Sequence, residues 1–438
     1  AGQELWSQTY GGDDFDVAYS VQTVTDGGFI LAGFRTASDE VDRDVYLIKT
    51  NGNGDEEWSQ TYGTSDAQEI GRCVQQTTDG GYIVCGRTKS FGNGYSDMYL
   101  IKTNGYGDSL WTKVLGGVVS ERGYSVQQTN DGGYIVFGYS NSFGNGLITD
   151  FYLIKVDVNG NQLWDQVFTQ SNESSGKSVE QTIDGGYILC GSKRSISNGI
   201  NDIYLIKTDD NGVEQWSDSY GSGILSEIGY SVQQTIDEGY IITGVKTNIN
   251  QGSSDIFLVK TDGNGISLWT KTFGGGLNEE SYSVQQTNDG GYIICGETES
   301  FGNGDWDVYL IKTDDNGDSL WTKTFGGSND DLGQSIHQTN DGGYIITGST
   351  QSFGNGGYDV WLIKTDGNGD SLWTKTFGGT DNDVSYSVQQ TTDGGYIITG
   401  ETNSFGNGSG DIYLIKTDGS GNITSTLEIP IPSNRFNI

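Results

Sequence analysis

Residues 307–327, DVYLIKTDDNGDSLWTKTFGG, read as strand, tight turn, strand. Asp307, Tyr309 and Ile311 point to one side and Val308, Leu310 and Lys312 to the other, the period-2 pattern of a strand. Residues 314–318, DDNGD, are turn formers around a glycine free to take positive φ. A second strand follows over 319–325. The pattern returns seven more times, each with a tryptophan near the start of the second strand: Trp6, Trp58, Trp111, Trp164, Trp216, Trp269, Trp321 and Trp373. Their spacings are 52, 53, 53, 52, 53, 52 and 52 residues. So regular a period marks internal repeats, and repeats decide the fold before length does.

Working outward, each unit reads SVQQT, a DGG turn, YIITG, a loop that in most units reads SFGNG, then DxYLIKT, DxNGD and LWTKTF. Four strands of five to seven residues in about 50 residues is the signature of a propeller blade. The sequence therefore predicts an all-β, eight-bladed β-propeller over residues 1–422, with four antiparallel strands per blade. The DGG and DxNGD connections are short enough to be hairpins within a blade, so SVQQT is innermost and LWTKTF outermost. The last unit lacks a proper fourth strand. Residues 5–10 match it and are expected to complete the last blade, removing a free sheet edge. Residues 423–429 compete for the same place but lack the Trp, so 423–438 is expected to be an edge strand or linker tail.

Seventy Gly and two Pro among 438 residues fit many tight turns and uninterrupted ladders. No apolar run approaches the roughly 18 residues of a membrane span, so no direct membrane insertion is expected. A net charge of −35 with one His disfavours nucleic acid and anionic membranes as partners. Residues 1–4 show no signal-peptide pattern, and the chain is expected to be a mature exported form and a monomer. Cys73 and Cys85 lie on consecutive strands of one hairpin, so a cross-strand disulfide is open to them if the register sets them opposite; the sequence does not decide whether they are bridged.

The hairpin resembles the tryptophan-docking motif of quinoprotein propellers, with Gly four residues before Trp, as in Gly317 and Trp321. The resemblance implies that an indole from one blade lies on the turn of its neighbour. It does not extend to the cofactor ligands. The whole unit, DGGYIITG, SFGNG and DVYLIKTD with NGDSLWTKTFGG, resembles the secreted β-propeller repeat proteins of Bacteroidetes and some archaea. Residues 427–438, LEIPIPSNRFNI, resemble the linker before a type IX secretion C-terminal sorting domain, which implies export to the cell surface or medium.

An Asp opens the third strand of every unit, another precedes the glycine turn, and a Lys ends the third strand. Features present in every blade read as structural, because an active site breaks symmetry. The strand Asp and Lys are expected to pair between blades or to anchor loops. Asp314, Asn316, Asp318, Asp366, Asn368 and Asp370 place oxygens at alternating positions, so calcium is the candidate metal there. The loop face carrying SFGNG is the candidate ligand face, with Phe15, Tyr95, Trp306 and Tyr358 as aromatic platforms for a glycan or protein. Units one, four and five depart from SFGNG there. His337, alone on an inner strand, is expected to be packed. The eight tryptophans are assigned to blade packing. The expected function is a non-catalytic, secreted or cell-surface binding module and type IX secretion cargo, whose partner is a glycan or a surface or secretion-system protein. The alternatives are a carbohydrate-active hydrolase or lyase with carboxylates near the channel, and a passive spacer.

Overall fold

Thirty-two strands make eight separate four-stranded antiparallel sheets in the computed structural model, which describes residues 6–36, 42–65, 67–144, 149–169, 174–195, 198–248, 251–407 and 409–423. Blade one is typical: Val17–Thr23 innermost, then Phe29–Thr36, Arg43–Thr50 and Glu56–Tyr62 outermost. The third strands are buried on both faces, as in Asp97–Thr103, where every residue is buried. That burial explains why LIK is flanked by apolar and small residues rather than alternating with charges. Among the described residues no helix is long and apolar enough to cross a membrane.

The ring closes through the N-terminal strand. Trp6–Tyr10 pairs antiparallel with Asp411–Thr417, Trp6 opposite Lys416 and Tyr10 opposite Ile412. Within blade one the equivalent pair is Trp58 opposite Lys49, so the sequentially remote strand occupies the same register as a continuous one. Of the tail, Ile423 packs on the core of blades seven and eight. Residues 424–438, with the competing strand and the secretion-linker resemblance, lie outside the described residues.

The core sits between blades rather than inside them. Ile83, Met98 and Leu100 of blade two pack with Tyr134, Val136, Tyr152 and Ile154 of blade three. At the seam, Trp6, Tyr10, Ile412 and Leu414 pack with Phe29, Leu31, Tyr46 and Ile48. Each fully buried side chain of this size contributes about 1.5–3 kcal/mol, so the junctions hold most of the hydrophobic stabilisation.

Three polar devices repeat around the ring. The first is tryptophan docking. Trp6, Trp58, Trp111, Trp164, Trp216, Trp269, Trp321 and Trp373 each cover the turn glycine of the next blade, from Gly54 on to Gly421. The indole N–H of Trp58 donates to Gly105 O at 3.1 Å and that of Trp216 to Gly263 O at 3.2 Å. The second device uses both glutamines of SVQQT. Gln76 N–H donates to Gln22 Oε1 of the preceding blade at 2.6 Å, and Gln76 Oε1 accepts Thr25 N–H at 2.9 Å. His337 occupies the first of these positions, and burial lowers its pKa.

The third device shows which of the two expected roles the strand lysines take: they anchor turns. They do not reach another blade. Lys312 is buried and pairs with Asp289 of its own blade at 3.0 Å, while its Nζ also donates to Thr313 O at 2.8 Å. The other seven lysines repeat this, for example Lys102 with Asp79 at 2.9 Å and Lys364 with Asp341 at 3.1 Å. The two repeated sets of the sequence are thus each other's partners, 23 residues apart in most blades and 24 in blade three.

The strand aspartates do anchor loops. Asp307 Oδ2 accepts Asn303 N–H, and Asp359 Oδ2 accepts Asn355 N–H, both at 2.8 Å. Each also meets an acid of the next blade. A side chain on Gly326 would overlap Asp307 Oδ1 and lie 2.8 Å from Asp331 Oδ2. The same juxtaposition joins Asp44 with Glu69, Asp97 with Glu121, Asp202 with Glu227, Asp255 with Glu279, Asp359 with Asp383 and Asp411 with Asp16. The inner-strand acid is the better solvated by protein: Glu279 accepts from Gly275 N–H, Thr298 Oγ1 and Ser300 N–H. Its partner is pushed up: burial raises Asp44 and Asp411 to about 6, with Asp42 and then Glu69 adding to the rise at Asp44 and Asp16 at Asp411.

Candidate functional site

The innermost strands surround the axis, and each carries one extra residue against its neighbour. The register shifts across Tyr19, Arg72, Tyr124, Lys177, Tyr230, Tyr282, Gln334 and Tyr386. A β-bulge bends the strand and re-aims one side chain. The local sequence allows it. The residue before the bulge is Ala, Gly or Ser, and the facing residue on the second strand is Gly33 or its equivalent. A Cβ at Gly86 would overlap the Ile70 carbonyl, so only glycine lets the bulged strand close on YIITG.

Successive bulged residues meet across the blade junctions. The rings of Tyr19 and Tyr386 are 6.4 Å apart and those of Tyr230 and Tyr282 are 5.8 Å apart. Arg72 lies over the Tyr19 ring at 4.1 Å. The result is a ring of half-buried aromatics on the innermost strands, interrupted where Arg72, Lys177 and Gln334 replace Tyr.

The charge around this ring is divided. On blades two and three, Arg72, Arg87 and Arg122 cluster, with Arg122 over the Tyr139 ring at 5.8 Å. Burial lowers the pKa of Arg87, and the neighbouring Arg122 and Arg72 lower it further. On blades six to eight the same level is acidic. Tyr282 Oη lies 2.9 Å from Glu280 Oε2 and 3.0 Å from Glu297 Oε1, and Tyr386 Oη donates to Glu401 Oε2 at 3.3 Å. Burial pushes Glu297 up to about 7, with Glu280 and Asp330 adding to the rise. In an eight-bladed ring these two sectors face each other across the axis.

The aromatics singled out in the sequence are spread around the loop face. Trp306 and Tyr358 meet at Asp330, whose Oδ1 accepts Trp306 N–H at 3.4 Å and whose Oδ2 accepts the Tyr358 hydroxyl at 3.0 Å. That bond, after burial, helps push Tyr358 up to about 12. Phe15 packs on Phe34 at the seam, with ring centroids 5.9 Å apart. Tyr95 is 80% exposed on blade two. A cleft of about 380 Å³ beside the seam is lined by Gly12, Asp13, Asp14, Arg35, Thr36, Asp44 and Thr61. The SFGNG phenylalanines lie on third-strand aromatics, as Phe353 on Trp361 at 5.2 Å. Parts of the divergent loops, 37–41, 196–197 and 249–250, lie outside the described residues.

The aspartates assigned to calcium are engaged by the turn itself or by a lysine of the preceding blade. Asp314 Oδ1 accepts the N–H of Asn316 at 3.0 Å and of Asp318 at 2.8 Å, and Asp318 pairs with Lys271 of the preceding blade at 2.6 Å. Asp366 accepts in the same way from Asn368 and Asp370, and Asp370 pairs with Lys323 at 2.7 Å. Among the described residues no three His, Cys, Asp or Glu side chains converge on a metal position. Cys73 and Cys85 stand directly opposite in register, and all four cysteines are free thiols.

Comparison with known proteins agrees with the architecture. No family model matches the chain. The regulatory protein FlaEY of Caulobacter vibrioides is 26% identical over 213 residues, which are 41% of this chain and 22% of that protein. This chain thus matches only about a fifth of FlaEY's length. Two crystal structures of Sqt1 from Chaetomium thermophilum are similar at TM-score 0.57, 11% and 10% identical, over 95% of this chain and 98% and 100% of theirs. At that identity the likeness is one of fold. The chain is an eight-bladed β-propeller repeat protein whose innermost strands carry a bulged, charge-divided ring.

Proposed function

We propose that the protein is a non-catalytic interaction module that takes a protein or glycan ligand at the bulged ring. The supporting observation is the asymmetry of that ring: the packing devices repeat blade by blade, whereas Arg72, Lys177 and Gln334 replace Tyr in three blades only. Half-buried tyrosine rings suit sugar stacking and peptide contacts alike. In this reading the protein works outside the cell, as a secreted or surface-displayed type IX cargo, consistent with its acidity and with the secretion-linker likeness of residues 427–438. Peptide and glycan arrays test it. Binding should fall at least tenfold in Tyr230→Ala/Tyr282→Ala and stay unchanged in Trp216→Phe, which lies on an outer strand. Silence on both arrays would favour a passive spacer.

One observation favours the enzymatic alternative. Glu280 and Glu297 flank one phenol, and their environments differ, as an acid and base pair requires. Glu297 is only 7% exposed, however, so its carboxyl group lies behind Tyr282 rather than open to substrate. Oligosaccharide release that disappears in Glu297→Gln would establish this second reading over the first.

A further inference from the structure

Many lysines of this chain are committed to ion pairs. Eight lysines close hairpins with the turn aspartates, and Lys271 and Lys323 tie outer strands to the next turn. Arg72, Arg87 and Arg122 are different. None of them forms an ion pair among the described residues, although the chain carries a net charge of −35. The Nε atoms of Arg87 and Arg122, like that of Arg43 on blade one, are buried without a hydrogen-bond acceptor; what sets Arg72, Arg87 and Arg122 apart is their crowding on two adjacent blades. The acids nearest in sequence are occupied: Glu69 accepts from Thr88 and Ser90, and Glu121 from Ser140, Ser142 and Gly117.

Three uncompensated guanidinium groups crowded on two adjacent blades repel one another and are partly desolvated. Two are held on aromatic faces, Arg72 on Tyr19 and Arg122 on Tyr139, which restrains the planar forks and lessens the entropy lost when they engage a ligand. A fork of this kind matches an oxyanion with paired N–H donors. The opposite sector sets a limit on the ligand. Glu280, Glu297 and Glu401 repel a long polyanion, while a short anionic group on an otherwise neutral or basic chain is accepted on both sides.

We propose that Arg72, Arg87 and Arg122 form an oxyanion site that binds the side-chain carboxylates of an acidic peptide segment. This rests on the reading of the bulged ring as a binding site and names the chemistry of its ligand.

The test uses the whole chain and isothermal titration at low and physiological salt. The probes are an Asp/Glu-containing octapeptide, its Asn/Gln counterpart, inorganic phosphate, and heparin as a polyanion. The acidic peptide should bind, its amide counterpart should bind at least tenfold more weakly, and Arg87→Gln and Arg122→Gln should each lose at least tenfold. Lys113→Gln, on an outer strand, should bind as the parent does. Without ligand, Arg87→Gln should melt at or above the parent temperature, since it relieves repulsion. A lower melting temperature would mark Arg87 as a packing residue and overturn the site. Equal binding of the acidic and amide peptides would also overturn it, as would phosphate or heparin binding in place of the peptide. If neutral peptides or glycans still bind in a Tyr282-dependent way while the acidic peptide does not, the oxyanion site fails and the interaction reading stands.

Discussion

A buried lysine facing a partly exposed aspartate makes an unequal pair. Lys312 has a side chain 3% exposed and Asp289 one 59% exposed. Removing the aspartate strands an ammonium in the core with Thr313 O as its remaining acceptor. Removing the lysine leaves a carboxylate that water reaches and that still accepts from Thr287 and Gly291. Asp289→Asn should therefore destabilise by about 1–3 kcal/mol, and Lys312→Met by less. Denaturant unfolding of both variants checks this, and the reverse order would mean that the carboxylate is the costlier group to leave alone. A second pair of substitutions isolates the indole contact. Gly317 and Gly290 both have positive φ, 73° and 87°. A Cβ at Gly317 would lie 2.7 Å from the Trp269 ring, whereas at Gly290 it would meet nothing within 4 Å. Both Gly→Ala changes share a backbone cost of about 1–2 kcal/mol. Gly317→Ala should cost at least 1 kcal/mol more, typical of a disturbed core contact, and equal losses would show that the docked indole contributes little.

At the scale of the strand, ionisation runs in two opposed directions. The turn aspartates are held below the usual range by their lysines and by local donors, Asp131 to about 2, so their stabilisation is complete above pH 4 and lost on acidification. Third-strand aspartates such as Asp97, Asp202 and Asp307 are held above it, Asp44 and Asp411 to about 6, so folding binds their proton and stability declines as pH rises from about 4 through 6. Thermal melting should therefore peak near pH 4 and fall toward both pH 2 and pH 7. Asp307→Asn sharpens the point. Asp307 Oδ1 is buried without a hydrogen-bond partner, and an amide there supplies the missing hydrogen to Asp331 at every pH. This variant should melt higher than the parent at pH 7.5 and no higher at pH 4. A uniform loss at both would show that the pair does not share a proton.

The same strands mark what could be read in advance. Trp321, Gly317 and the YLIKT core were legible because their periodicity and turn chemistry are local, and every blade repeats them. The partner of Lys312 was not, because it lies across two strands and no residue pattern fixes that distance. The bulged ring was missed for a sharper reason. One inserted residue takes Tyr282 off the alternating pattern, so it reads as an ordinary strand position. The signal was nonetheless present: one column of the repeat holds Tyr in five copies and Arg72, Lys177 and Gln334 in the rest.

For the whole ring, closure depends on a strand from the far end of the chain. Residues 418–422 form the same turn as in the other blades, with Asn422 N–H donating to Asp418 Oδ1 at 2.8 Å, and Gly421 lies under Trp373. Joining Asn422 directly to Glu4 would place Trp6 four residues after Gly421, the spacing of Gly369 and Trp373. A circular permutant built this way, beginning at Asp13, should fold as a monomer and melt no lower than the parent. Aggregation of the permutant in size-exclusion chromatography would show that the seam does not tolerate the direct join. The ordinary chain has a mechanical consequence in that seam. Because Trp6 lies opposite Lys416 and the strands run antiparallel, both ends of the chain leave the sheet side by side. Tension between them loads the ladder one rung at a time, as a zipper is drawn, rather than shearing all rungs together. A ring held together by eight blade junctions is thus openable by a small pull at a single point.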